Sequence, residues 1–199
     1  MNQFGWVPPE QRDDAGQRLT GEFHERIGVF GDVSSELPER WIWAEVEQKQ
    51  LGRLLPRCFQ QTGSCVGAGS FVAIQKSFLG DRIARDDNDS LEPHFPWAPY
   101  GVSRRIAGMR RPGSGSFGAA MAKAVDDDVF GLLRLDDDRF PQPQVVDQFW
   151  LKYTARQELD WSHPSAWPMP ESELAQEGKP FGMQDIVRVT NTDQAATLT

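Results

Sequence analysis

Cys65 stands where a polar, glycine-containing loop meets an apolar segment of helical period, and that junction restricts the chain more than any other feature. The stretch reads Gln60-Gln61-Thr62-Gly63-Ser64-Cys65-Val66-Gly67-Ala68-Gly69-Ser70-Phe71. Gly63 and Ser64 break the chain. Phe71, Ile74 and Phe78 then recur at i, i+3 and i+7, with Val72 and Leu79 beside them, and Gly80 marks the predicted end. The spacing therefore predicts a helix that opens at Cys65. A cysteine at a helix N-terminus meets the positive end of the helix dipole and unpaired backbone N–H groups, and both favour the thiolate that attacks carbonyl carbon. The same N–H groups can hold the oxyanion of such an attack, and the side-chain amides of Gln60 and Gln61 are natural additional donors. The candidate catalytic set is thus Cys65 as nucleophile with Gln60 and Gln61 as oxyanion donors. A buried structural thiol under a helix start is the bland alternative.

Composition narrows the classes. At 199 residues the chain suffices for one core, or for one lobe of a two-lobed fold. A net charge of −8 and a pI near 4.9 argue against a general nucleic-acid binder. No apolar run approaches the ~20 residues of a membrane helix, and Met1-Asn2-Gln3-Phe4-Gly5-Trp6 is not the start of a secretory signal. The expected setting is cytoplasmic, where Cys58 and Cys65 stay free thiols. No CxxC and no His/Cys cluster points to zinc. The runs Asp126-Asp127-Asp128 and Asp136-Asp137-Asp138 lack the spacing of a calcium loop. Gly113-Ser114-Gly115-Ser116-Phe117-Gly118 matches GxGxxG in form but follows no buried strand, so it reads as a tight turn in which Ser caps the next helix. Neither a metal nor a cofactor is expected. Arg104, Arg105, Arg110 and Arg111 form a basic patch expected to pair with the acidic runs, Asp86-Asp87 included.

Along the chain, residues 1–40 read as an irregular arm anchored by Phe23, Ile27, Val29 and Phe30. Trp41-Ile42-Trp43-Ala44-Glu45-Val46 is of ambiguous type. A polar loop is expected over 81–100 and a short helix over 101–109. Phe117, Ala120, Met121, Ala124 and Val125 give the cleanest helical period of the chain. A further helix is expected over about 144–159, with Val146, Phe149, Trp150 and Tyr153 on one face, followed by a loop over 160–184. Residues 186–189 read as a strand, and Asn191-Thr192-Asp193-Gln194 as a helix start. With Thr199 barely a turn further on, the expectation is a continuing polypeptide or a tail that orders on a partner.

The segment Gln61-Thr62-Gly63-Ser64-Cys65-Val66-Gly67 resembles the nucleophile segment of papain-like cysteine peptidases, in the form with Thr-Gly-Ser-Cys-Val carried by bacterial and tailed-phage members. Tyr100-Gly101-Val102-Ser103-Arg104, and the Gly113-Ser114-Gly115-Ser116 turn leading into Ala119-Ala120-Met121-Ala122-Lys123-Ala124-Val125, agree with that family in order and distance. The likeness covers residues 50–135. It implies an α+β fold: a papain-like helical lobe over 41–160, an irregular arm before it, a loop-rich tail with a short strand over 161–199, and a second lobe incomplete or absent. The chain departs from the family at the position six before the cysteine, where Phe59 stands in place of the usual glutamine, and at Val66, which replaces a bulky aromatic. In the family the His and Asn partners lie in the second lobe, the His generally well over a hundred residues after the cysteine. Of His24, His94 and His163, none sits in a strand context suited to a catalytic base, and His163 fits a loop or capping role better. The expected function is a papain-like-fold structural component of a tailed-phage virion, assembled in the host cytoplasm. It would be catalytically incomplete, a pseudoenzyme partnered by other virion or complex protein subunits, with no membrane and no nucleic acid and its oligomer imposed by assembly. The alternative is an active thiol peptidase or amidase whose His and Asn lie in a continuation or in a partner chain.

Overall fold

The computed structural model describes residues 43–86, 91–109, 115–146 and 149–184. The N-terminal arm, His24, Arg110, Arg111, Asp87 and the expected elements from residue 186 onward lie outside the described residues. Three short strands form one sheet: β1 (Arg57–Phe59), β2 (Gln144–Val146) and β3 (Trp150–Lys152), in the order β1-β3-β2. β1 runs parallel to β3, with Cys58 opposite Leu151, and β2 runs antiparallel to β3, with Val145 opposite Leu151. Cys58 and Leu151 are buried while Phe59 is 49% exposed, so alternate residues face the core and the outside. These two strands replace the first part of the helix expected over about 144–159; its end does fall in a helix, Ala155–Trp161. The β-branched and aromatic residues there suit a pleated surface as well as a helical stripe, and pairing with the distant β1 decides between them.

The described residues also form six α-helices: α1 (Trp43–Leu51), α2 (Cys65–Ala84), α3 (Trp97–Ile106), α4 (Gly118–Val125), α5 (Ala155–Trp161) and α6 (Glu171–Gly178). The fold of the described residues is thus α+β. α2 does open at Cys65, but it runs past Gly80 to Ala84. A Cβ at Gly80 would meet nothing, so this glycine merely weakens the helix locally, and Arg85 pairs with Asp81 across the last turn. α3 begins earlier than expected, at Trp97, because Pro99 falls in its first turn, where a missing N–H removes no intrahelical bond. Phe117 is the N-cap of α4, and Phe117, Ala120, Met121, Ala124 and Val125 are all buried. Ser116 does not cap that helix; its hydroxyl meets the Ser103 hydroxyl at 3.0 Å.

The core is an aromatic lattice. Phe95 stacks on Phe140 with ring centroids 4.8 Å apart and meets Trp161 edge-on at 5.1 Å. Trp97 meets Tyr153 edge-on at 5.6 Å. Such pairs contribute roughly 0.5–1.5 kcal/mol each beyond their area. Trp161, Trp167 and Leu174 belong to the same cluster as Cys58 and Phe71, so the stretch expected to be loop supplies core residues and the helix α6. α6 seats on Gly131, whose φ of +76° and close approach to the Gly178 carbonyl leave no room for a side chain; Leu132 N–H donates to that carbonyl at 3.1 Å. α1 docks on α2 through a buried Lys76–Glu47 pair, whose second carboxylate oxygen accepts the Leu55 N–H at 2.9 Å.

His94 lies 4.9 Å from the Phe71 ring, fully enclosed, and neither ring nitrogen has a partner among the described residues. Burial depresses its pKa from 6.5 to about 3. The unfolded chain therefore binds a proton that the folded chain refuses. The associated stability is complete above pH 6.5 and is lost, by roughly 1.4 kcal/mol per pH unit, as pH falls toward 3. His94→Phe keeps the ring contact and removes this term. Urea midpoints measured at pH 7 and 5 should show the variant losing about 2 kcal/mol less than the parent on acidification; an unchanged acid sensitivity would exclude His94 as its source.

Candidate functional site at the Cys65 loop

Because β1 and β3 are parallel, the loop after β1 and the helix after β3 emerge at the same end of the sheet. α5 starts with a capping box, in which Thr154 Oγ1 accepts the Gln157 N–H and Gln157 Oε1 accepts the Thr154 N–H. The next residue, Glu158, is fully buried. Its Oε1 accepts the Gln61 N–H at 2.9 Å. Its Oε2 accepts the Thr62 N–H at 3.0 Å, the Thr62 hydroxyl at 2.8 Å and the Ser64 hydroxyl at 2.9 Å. Ser64, the N-cap of α2, makes no side-chain cap bond, since its hydroxyl is spent on Glu158. Glu158 is the site residue that sequence reasoning missed. The available signal was an acid three residues before Trp161, on the inward face of a helix opened by Thr154-x-x-Gln157.

The other side of the loop is held by α3. Gly63 O accepts the Gly115 N–H at 3.0 Å and the Tyr100 hydroxyl at 3.4 Å, and Gly115 N–H also reaches the Tyr100 oxygen at 2.9 Å. Burial pushes the Tyr100 hydroxyl up to about 12, with Cys65 and Glu158 adding to the shift and the Gly115 N–H and Arg104 opposing it. Arg104 Nε donates to Gly115 O at 3.1 Å, and its Nη1 to Ser162 O at 3.1 Å. Arg104 is thus a buried brace for backbone rather than part of a patch facing the acidic runs. Arg105 pairs with Glu171, while Asp136 and Asp137 are neutralised by Arg134 and Arg139. α2 and α3 cross at Gly67, where a Cβ would stand 3.0 Å from Tyr100 Cγ and 3.2 Å from Trp97 Cζ3.

Within this frame Cys65 is the first residue of α2 and is partly exposed, at the end where helix N–H groups lack intrahelical partners. Gln60 turns its amide onto the Thr62 carbonyl, so it is engaged in its own loop and does not serve as an oxyanion donor in this conformation. Gln61 Nε2 is buried and has no acceptor among the described residues. Among the described residues no hydrogen bond reaches Cys65 Sγ. His94 is held on Phe71, six residues along α2, or about 9 Å of helix rise. His163 precedes a 3-10 turn (Pro164–Ala166), with Nδ1 2.7 Å from Ser165 Oγ. Neither is hydrogen-bonded to the cysteine. Cys58 is also a free thiol, buried, its pKa raised by desolvation and by the charge of Glu158. Asp126, Asp127 and Asp128 bring carboxylate oxygens within 4.8 Å of one another, close enough to bind a cation, in the turn after α4. No described helix is long and apolar enough to cross a membrane.

Compared with family models, with curated proteins and with solved structures, the chain finds no match.

Glu158→Ala leaves four donors without an acceptor and should cost roughly 3–4 kcal/mol. Glu158→Gln, which offers one oxygen and turns an amide on the remaining donors, should cost about half of that. Hydrogen exchange in Glu158→Gln should accelerate at the Gln61 and Thr62 amides before the rest of the fold. Uniform acceleration would show that Glu158 stabilises the protein without holding this loop.

Proposed function

We propose that the chain carries a papain-like helical lobe in which the thiol site is built but catalytically incomplete, and that it serves as a structural component of a tailed-phage virion. The observation that carries the first part is the commitment of both described histidines to other neighbours, with no hydrogen bond to Cys65 Sγ among the described residues. A thiol without an imidazole lacks both its base and the acid that protonates a leaving amine. The papain-like reading is supported by a cysteine opening a 20-residue helix and by a Tyr/Ser/Arg helix braced on a Gly-Ser turn. The phage attribution rests on the resemblance of the Thr62-Gly63-Ser64-Cys65-Val66 segment. A subunit of this kind stays with intact particles in fixed copy number, and Cys65→Ala assembles like the parent.

A second reading, an active thiol peptidase or amidase, is favoured by one observation: Gln61 Nε2, four residues before Cys65, is a buried donor without an acceptor among the described residues. Its base would come from sequence beyond Thr199 or from another chain. An activated p-nitrophenyl ester separates the two readings. The incomplete site should give no burst and no turnover above Cys65→Ala, and acceleration by added imidazole beyond its own reaction with the ester should require Cys65. Turnover by the protein alone that Cys65→Ala abolishes would establish the enzyme.

A further inference from the structure

The strand register places Arg57 beside Trp150 and Phe59 beside Lys152 on the side of the sheet opposite Cys58 and Leu151. The cations on this outward face do not meet acids. Lys152 Nζ lies 5.8 Å from the Phe59 ring centre and the Arg57 guanidinium 5.9 Å from that of Phe149. Neither has a carboxylate within ion-pair distance among the described residues, and Arg57 Nε is buried without an acceptor. Elsewhere in this acid-rich chain, Arg105, Arg134 and Arg139 are each neutralised by a carboxylate. Arg57 and Lys152 thus share one face with aromatic rings and keep their charge uncompensated among the described residues. Phe59 is 49% exposed beside them, and the edge strand β2 adds Gln144 and Val146, which pair with Lys152 and Trp150, to the same face.

We propose that this outward face docks an extended, acidic polypeptide segment of a partner protein, with apolar or aromatic side chains between its carboxylates. Carboxylates would complete Arg57 and Lys152, and the intervening apolar side chains would cover Phe59 and Trp150. An extended segment suits an edge strand because alternate side chains fall on one face. A polyanion such as nucleic acid is the poorer occupant. Two cations neutralise few phosphates, and the net negative field of the chain opposes its approach. The inference is independent of whether Cys65 turns over a substrate.

The test is titration of the full chain with pentapeptides alternating Glu with Phe, Tyr or Leu, read by labelled-peptide anisotropy and by amide shifts. Acidic peptides should bind, weaken with added salt, and shift the amides of Arg57–Phe59 and Trp150–Lys152. Arg57→Gln with Lys152→Gln should reduce affinity roughly tenfold. Phe59→Ser should reduce it too, with an unchanged melting temperature in both variants. The proposal is overturned if no acidic peptide binds, if Lys-substituted peptides bind equally well, or if the shifts map elsewhere. It is equally overturned if oligothymidylate binds this face more tightly than the peptides, or if a second copy of the chain occupies it on concentration.

Discussion

One buried carboxylate organises the site end of this protein. Glu158 uses both oxygens on the loop that precedes Cys65, accepting from two backbone N–H groups and two hydroxyls. A carboxyl group in the core is costly unless its lone pairs are satisfied, and a carboxylate has about four acceptor sites. Here donors and acceptors are matched, so the dependence is mutual. The loop requires Glu158 to satisfy its donors, and Glu158 requires the loop to be buried at all. Everything that brings the two together, above all the parallel pairing of β1 with β3, serves this one contact.

The face of α3 completes the enclosure. Tyr100, Ser103 and Arg104, spaced i, i+3 and i+4, hold the Gly115 backbone and Ser116 against the loop, and Gly67 lets α2 approach Tyr100 and Trp97 closely. The resemblance to papain-like peptidases singles out these same segments. Their hydrogen bonds are those of a scaffold: among the described residues they go to Gly63, Gly115, Ser116 and Ser162 and not to Cys65 Sγ. A rigid, partly exposed thiol at a helix start and a chain able to complete an acyl transfer are different things. The described residues supply the first and hold their imidazoles elsewhere.

Legibility varied with the range of the interaction. The Phe71–Ile74–Phe78 period and the Gly63-Ser64 break placed the start of α2 at Cys65, and the Phe117–Val125 period placed α4, because both rest on local spacing. Gly80 misled because a glycine stops a helix only when capping geometry or packing asks it to, and its surroundings are open. The stretch from Gln144 to Tyr153 misled because Val146, Phe149, Trp150 and Tyr153 satisfy a helical stripe on paper, and the helix is present only from Ala155 onward. Only the partner strand Arg57–Phe59 shows that alternation was the relevant period. Arg104 read as one of four surface cations, yet it is buried on the carbonyls of Gly115 and Ser162, a fate that neighbouring charges do not announce.

The sequence by itself determined the position of the thiol at a helix start and the helical periods that follow it. These follow from residue types a few positions apart. The tertiary structure alone decided that Glu158 is the anchor, that Gln60 is engaged while Gln61 keeps an unpaired amide, and that Arg57 and Lys152 face outward over aromatic rings. Those outcomes depend on strand pairing between segments some ninety residues apart, and no local pattern encodes which buried donor will find which acceptor across that distance.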